Sequence, residues 1–310
     1  MTSSAVSTVE TVLRDELARA NRAANGVVPV LGHLLASSGH SLVSDVVVAR
    51  VRGMLTHIAR QFVARLPNTG TDADALTERL SVDPVMLSFV HAAAMEGIIA
   101  EALEQRASID PVLSPLWQEL IASVEPRISE LAMQALASQS RFMQSQLRMQ
   151  YPVNEMPPEM LERSLELWAS LNEMPETNAS FQTAIRSIKA EYDEANTRQG
   201  LLRRLGLSMN HGAIAALELN HAGLGLFVTV LAQLSGQSRE QAVLSCDPEQ
   251  SARLVLALRS VGMEWEMIER QFAIVEPSQR LPRGLEELTV EAARLLLVEQ
   301  PESSGLAKAG

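Results

Sequence analysis

The sequence predicts an all-α protein built of stacked helical hairpins, a HEAT-like or irregular helical array that divides into two lobes. Two observations carry this. Apolar residues recur at steps of three and four through most of the 310 residues, the period of a helix with one buried face. Short caps of Ser, Asp, Asn, Gly and Pro separate these runs, and no stretch keeps the period of two that a strand requires.

In chain order, residues 6–24 form an amphipathic helix with Val9, Leu13 and Leu17 on one face. Gly26 and Pro29 interrupt it, a short apolar helix follows to about Ala36, and the composition of 37–41 is that of a loop. A long helix over 44–66 carries Val47, Val51, Met54, Leu55, Ile58 and Phe62 as its stripe. Arg50, Arg52, Arg60 and Arg65 lie on other faces, read as a solvated surface. After the loop at 67–70, Ser-x-Asp-Pro occurs at 81–84, 108–111 and 245–248, each time expected to open an apolar helix, because Asp caps and Pro at the first helical position loses no hydrogen bond. The spacing between occurrences is irregular, so they set no strict repeat.

The helix expected over 125–150 has Ile128, Leu131, Ala135, Phe142 and Leu147 at helical spacing. Its polar positions are uncharged: Gln134, Ser138, Gln139, Ser140, Gln144, Ser145 and Gln146. Six methionines fall between Met133 and Met174, and soft Met side chains suit surfaces that accept a partner as well as cores. A helix with Leu161, Leu165, Trp168 and Leu171 precedes the polar stretch 172–178, the expected boundary between an N-terminal helical region (1–172) and a C-terminal repeat-like region (178–300). A charged helix over 181–198 leads into the second region. Residues 276–282 read as a loop, 289–299 as the last helix, and 301–310 as a frayed tail.

The rest of the chain is organised around 201–274. Leu201, Leu202, Leu205 and Leu207 precede a break at Asn210-His211-Gly212, and Ile214, Leu217 and Leu219 precede a second at 220–223. Leu224, Leu226, Phe227, Val230, Leu231 and Leu234 form one strongly apolar helix, stopped by Ser235-Gly236 because glycine takes the left-handed cap conformation at low cost. Ser238 and Gln241 have capping-box spacing, Asp247-Pro248 starts another helix through Leu254, Leu256 and Leu258 to Gly262, and Trp265, Ile268 and Phe272 mark the last. Helices this short bury their faces only by stacking on neighbours. This block resembles an uncharacterised alphaproteobacterial family of HEAT-like helical domains of unknown function. The resemblance rests on Ile214 to Leu219, Leu226-Phe227, Val230-Leu231-Ala232, Arg239 to Leu244, Asp247, Leu256-Ala257-Leu258 and Gly262. It implies a bacterial helical-repeat fold and transfers no catalytic residue.

Composition narrows function. One cysteine, Cys246, excludes an internal disulfide framework and fits a reducing, cytoplasmic setting. Early Glu10, Asp15 and Glu16 argue against a secretory signal, and the longest uncharged windows, 23–44 and 219–238, are broken by polar residues, so no transmembrane segment is expected. The net charge of −11 is shared by both halves and disfavours nucleic acid, which needs a basic face.

Few residues stand at spacings that a known chemistry requires. Glu218-x-x-His221 has the spacing of one half of a di-iron carboxylate motif but lacks its second half, so neither residue is assigned to a metal. His33, His40, His57, His91 and His211 are scattered, and His91 in the apolar run 89–99 reads as a buried histidine. There is no Gly-x-Ser-x-Gly elbow, phosphate-binding glycine loop or Cys-x-x-Cys. Cys246 beside a helix cap could gain acidity from a helix N-terminus, but a small packed side chain is the preferred reading. No catalytic, cofactor-binding or metal residue is therefore expected. The expected function is a non-enzymatic interaction or regulatory protein that binds a protein partner or a copy of itself, with 134–150 as its docking helix. The alternative is a sensor holding a small apolar ligand inside the bundle.

Overall fold

The structure, a computed structural model, describes residues 11–23, 26–28, 30, 45–66, 72–172, 178–281 and 285–298. Among them no residue lies in a strand, and the fold is all-α. The expectations for 31–41, 67–70 and 301–310, and for the boundary at 173–177, fall outside the described residues.

The first helix, α1, covers residues 11–23. It is followed by α2 (Asp45–Val63), α3 (Ala73–Ser81) and the 24-residue α4 (Pro84–Ala107), around which the others assemble. Then come α5 (Pro115–Ile121), α6 (Pro126–Leu147), α7 (Pro158–Ala169) and α8 (Ala179–Glu191). The chain continues with α9 (Arg198–Ser208), the short α10 (Leu219–Ala222), α11 (Leu224–Ser235) and α12 (Arg239–Ser245). It ends in α13 (Ser251–Ser260), α14 (Trp265–Val275) and α15 (Val290–Val298).

Helix α4 has apolar residues around its whole circumference, which is the signature of a helix buried on every side. It touches α2, α3 and α7 toward one end of the molecule and α11, α12 and α14 toward the other. By length and composition it could also cross a membrane. However, 67% of that window is buried inside the fold, as expected of a core helix.

Two large apolar clusters flank α4 and interleave along the sequence. One joins residues of 47–94 to residues of 151–188, with Trp168 packed between Phe62 (5.3 Å between ring centres) and Phe181 (4.7 Å). The other joins 99–143 to 201–275 and contains all of the apolar block around α11. A third, small cluster brings Leu13 and Leu17 of α1 against Leu256, Leu288 and Leu296, so the two ends of the described chain meet.

Local signals decide most helix ends. Asp83 caps α4 by accepting from the Met86 N–H at 2.9 Å, with Pro84 in the first turn, and Ser238 and Gln241 form the expected capping box of α12. Gly236 (φ 74°) stops α11, and Gly223 (φ 71°) separates α10 from α11. Two of the three Ser-x-Asp-Pro sites depart from expectation. At 108–111 no helix starts. Asp110 instead accepts from the N–H groups of Val112 and Leu113, which makes a turn, and α5 begins only at Pro115. At 245–248 a single 3-10 turn, Pro248–Gln250, intervenes before α13. An Asp side chain satisfies turn and helix N–H groups equally well, so the tetrapeptide marks a chain reversal, and only at 81–84 does it open a helix directly. The break expected at 210–212 follows the end of α9 and begins a 3-10 segment, Asn210–Leu217, while in the one expected at 220–223 residues 220–222 are helical as part of α10 and the chain breaks at Gly223.

Candidate functional site

The buried polar centre of the molecule is Glu96, in the middle of α4 and 2% exposed. Two arginines far away in the sequence converge on its carboxylate. Arg198 donates from both terminal nitrogens, through Nη1 to Oε2 at 3.2 Å and through Nη2 to Oε1. Arg239 donates through Nη1 to Oε2 at 2.8 Å and through Nη2 to Oε1 at 2.7 Å. Burial alone would push the Glu96 carboxyl up, but the two guanidiniums prevail and hold it at about 2, so it is ionised.

Each arginine is the first residue of its helix, α9 or α12. A cation is unfavourable at the positive end of a helix dipole, and here Glu96 offsets both ends at once. The remaining donors are also directed. Arg198 Nε donates to Gln139 Oε1 at 2.7 Å, and its guanidinium carbon lies 3.7 Å from the centre of the Phe142 ring, a cation–π geometry. Arg239 Nε donates to Thr229 Oγ1 at 3.2 Å. One carboxylate thus ties α4, α6, α9, α11 and α12 together.

Glycines give these groups room. A Cβ at Gly225 of α11 would lie 2.8 Å from Gln139 Oε1 and 3.0 Å from Arg198 Nη2, so only glycine admits the close approach. Seven residues after Gln139 on the same helix face, Gln146 fills an equivalent notch at Gly97 of α4, where a Cβ would lie 2.7 Å from its Oε1. The uncharged polar side of α6 therefore turns partly inward: Ser138, Gln139 and Gln146 are buried.

Beside this joint lies a cavity of about 320 Å³ between α6, the turn at 150–155 and the start of α9. Its α6 wall is formed by Ser138, Arg141, Phe142, Gln144 and Ser145, continued by Arg148 at the helix's C-cap. Arg198 and Tyr151 close the inner end. The floor forms because Met149 takes a left-handed conformation (φ 55°) that ends α6, and because Gln61 of α2 clamps the next segment. Gln61 Nε2 donates to the Tyr151 carbonyl (2.9 Å), and its Oε1 accepts from the Val153 N–H (3.0 Å). Tyr151 packs edge-on against Phe89 at 5.2 Å, and burial raises the pKa of its hydroxyl, which keeps it protonated.

Three arginines line the cavity against one acid, Glu155. One Glu155 oxygen is committed to the Arg198 backbone N–H at 2.6 Å, and the other stands 4.0 Å from Arg141. The Ser138 hydroxyl, on a side chain 1% exposed, has no hydrogen-bond partner. A buried orphan hydroxyl in a cavity wall is a vacant hydrogen-bonding position.

The residues singled out from sequence lie elsewhere. Glu218 precedes α10, and His221 points its Nε2 not at Glu218 but at Glu119 of α5, 3.5 Å away. Among the described residues no three His, Cys, Asp or Glu side chains are grouped to hold a metal. Cys246 sits at the C-terminal end of α12 rather than at a helix N-terminus, and burial pushes its thiol up to about 12, the opposite of activation. His91 is buried as expected, and burial lowers it to about 4, so it is neutral at pH 7. Arg50 corrects the reading of its helix as solvated on that face: it is buried and pairs with Glu101 at 2.6 Å. The expected docking helix is mixed. Met133, Leu147 and Met149 are exposed, while Met143 and Met156 are core.

Sequence reasoning missed Glu96, Arg198 and Arg239. Two signals were present: a lone acid inside the apolar run 89–99, and arginine directly after the caps Thr197 and Ser238, where a helix dipole disfavours it. No family model matches the chain, and no curated protein or solved structure matches it.

Proposed function

We propose that this chain is a non-enzymatic helical regulatory protein of the sensing type, which binds a small molecule in the cavity between α6 and α9. The observation that supports this most directly is the unpartnered, buried Ser138 hydroxyl in the wall of a 320 Å³ cavity. That volume is at the lower end of the roughly 300–1,000 Å³ usual for small-molecule sites. The lining is amphipathic rather than wholly apolar, with the aromatic side chains of Phe142 and Tyr151 and three arginines, Arg141, Arg148 and Arg198. Occupancy has a structural route outward, because Arg198 both lines the cavity and binds Glu96 at the meeting of five helices. Native mass spectrometry of the protein isolated gently from its host tests the reading. A discrete extra mass, lost when Ser145→Trp fills the cavity, is the expected result. A bare chain that no metabolite extract stabilises against heat would overturn it.

A second reading, docking of a protein partner or another copy along α6, has its own observation. Met133, Leu147 and Met149 are large apolar side chains left exposed on or just beyond that helix. Glu substitutions at these three positions should abolish a complex while leaving helicity intact; a complex that survives them sinks this reading.

A further inference from the structure

We infer that the cavity takes a small organic anion, its carboxylate or phosphate group held along the Ser138–Arg148 face of α6 and its apolar body lying beside Phe142. This rests on the cavity being a ligand site and adds the chemical class of the ligand. The chain as a whole is acidic, with a net charge of −11, yet this cavity is lined by Arg141, Arg148 and Arg198 against Glu155 alone. A local excess of positive charge inside an acidic protein selects an anion by its field.

The three arginines have different roles. Arg198 has three of its five N–H groups engaged by Glu96 and Gln139 and one face covered by Phe142. It is thus a fixed cationic wall rather than a free clamp, and with Arg239 it leaves two guanidiniums facing the single Glu96 carboxylate. A cationic ligand would meet that wall where water screening is weak, so cations are disfavoured. Arg148 has no acid partner among the described residues, and Arg141 only the distant Glu155 oxygen. These two stand seven residues apart, Arg141 on α6 and Arg148 at its C-cap, about 10 Å along the helix axis, and both line the cavity. Ser138 offers a neutral donor one turn further in. A guanidinium, a buried hydroxyl and an aromatic edge together match an acid group joined to a flat apolar body.

The test is isothermal titration of the full chain with four naphthalene probes of similar shape: 1-naphthoate, 1-naphthyl phosphate, neutral 1-naphthol and cationic 1-naphthylmethylamine. The two anions should bind at least tenfold more tightly than naphthol, and the amine should not bind. Whichever anion binds better distinguishes a carboxylate from a phosphate ligand. Arg148→Gln, an exposed substitution that leaves the fold intact, should weaken anion binding at least tenfold and naphthol binding little, since a charge-assisted hydrogen bond is lost. Naphthol binding as tightly as naphthoate, insensitive to Arg148→Gln but abolished by Ser145→Trp, would overturn the anion assignment and leave the ligand cavity standing. Failure of all four probes would overturn both.

Discussion

Helix α11 and the Glu96 joint lie side by side, yet they hold the protein together in opposite ways. On α11, Leu224, Leu226, Phe227, Val228, Val230 and Leu231 are each at most 2% exposed. Their contribution comes from removing apolar surface from water, which is non-directional and tolerant of distance in sequence. The joint is held by directed hydrogen bonds between groups 59, 102 and 143 residues apart, and each charged group is desolvated to form it. A buried ion network of this kind seldom adds stability over an apolar replacement of equal volume, although breaking half of it is severe. The apolar region builds the fold; the polar region has the character of a site.

The largest expected effect comes from breaking the joint on one side only. Glu96→Ala leaves two buried guanidiniums facing each other and should destabilise by about 3–5 kcal/mol in denaturant unfolding. A loss below about 1 kcal/mol would show that water replaces the carboxylate freely. Leu231→Ala, fully buried in the dry region, should cost about 2–5 kcal/mol through lost burial and the cavity left behind. The two variants should differ in kind. Only the Glu96 variant should disturb ligand binding, which titration with 1-naphthoate checks.

Acid sharpens the contrast further. His91 is lowered to about 4 by burial, so the folded state binds its proton less readily than the unfolded chain, whose value is 6.5. Its contribution is complete above pH 6.5 and is lost as the pH falls from 6.5 toward 4, on the order of 3 kcal/mol. Glu96, held at about 2 against 4.5 unfolded, contributes fully above pH 4.5 and fades between 4.5 and 2. Stability measured against pH should therefore fall in two windows, and His91→Leu should remove only the upper one. A single fall below pH 4.5 in the parent would contradict the neutral, buried histidine. The smallest effect is local: Ser238→Ala removes one arm of the α12 capping box and should cost about 1 kcal/mol. A loss of several kcal/mol there would mean that Arg239 depends on the cap for its position.

These differences also explain what was legible in the sequence. The stripe of α2, the block around α11, the left-handed stop at Gly236 and the capping box of α12 were all readable, because periodicity and cap chemistry are local. Which faces meet was not. Trp168 and Phe181 flank the polar stretch expected to separate the N-terminal region from the C-terminal one, yet their rings touch, and α6 joins both large clusters through Phe142. Ser138, Gln139 and Gln146 read as the uncharged polar side of a docking helix, yet they are buried, since nothing local tells a polar residue facing a partner from one facing a buried arginine. The two Asp-Pro sites that failed to open helices directly did so because an Asp side chain caps a turn and a helix with the same geometry.

The most direct test of the account replaces the whole joint with apolar groups, Glu96→Met with Arg198→Met and Arg239→Met, and measures unfolding and 1-naphthoate affinity on the same protein. The expected result is a cooperative fold within about 2 kcal/mol of the parent, or more stable than it, together with at least a tenfold loss of naphthoate binding. A triple variant that unfolds cooperatively and still binds naphthoate as tightly as the parent would contradict the claim that the buried charges serve the cavity.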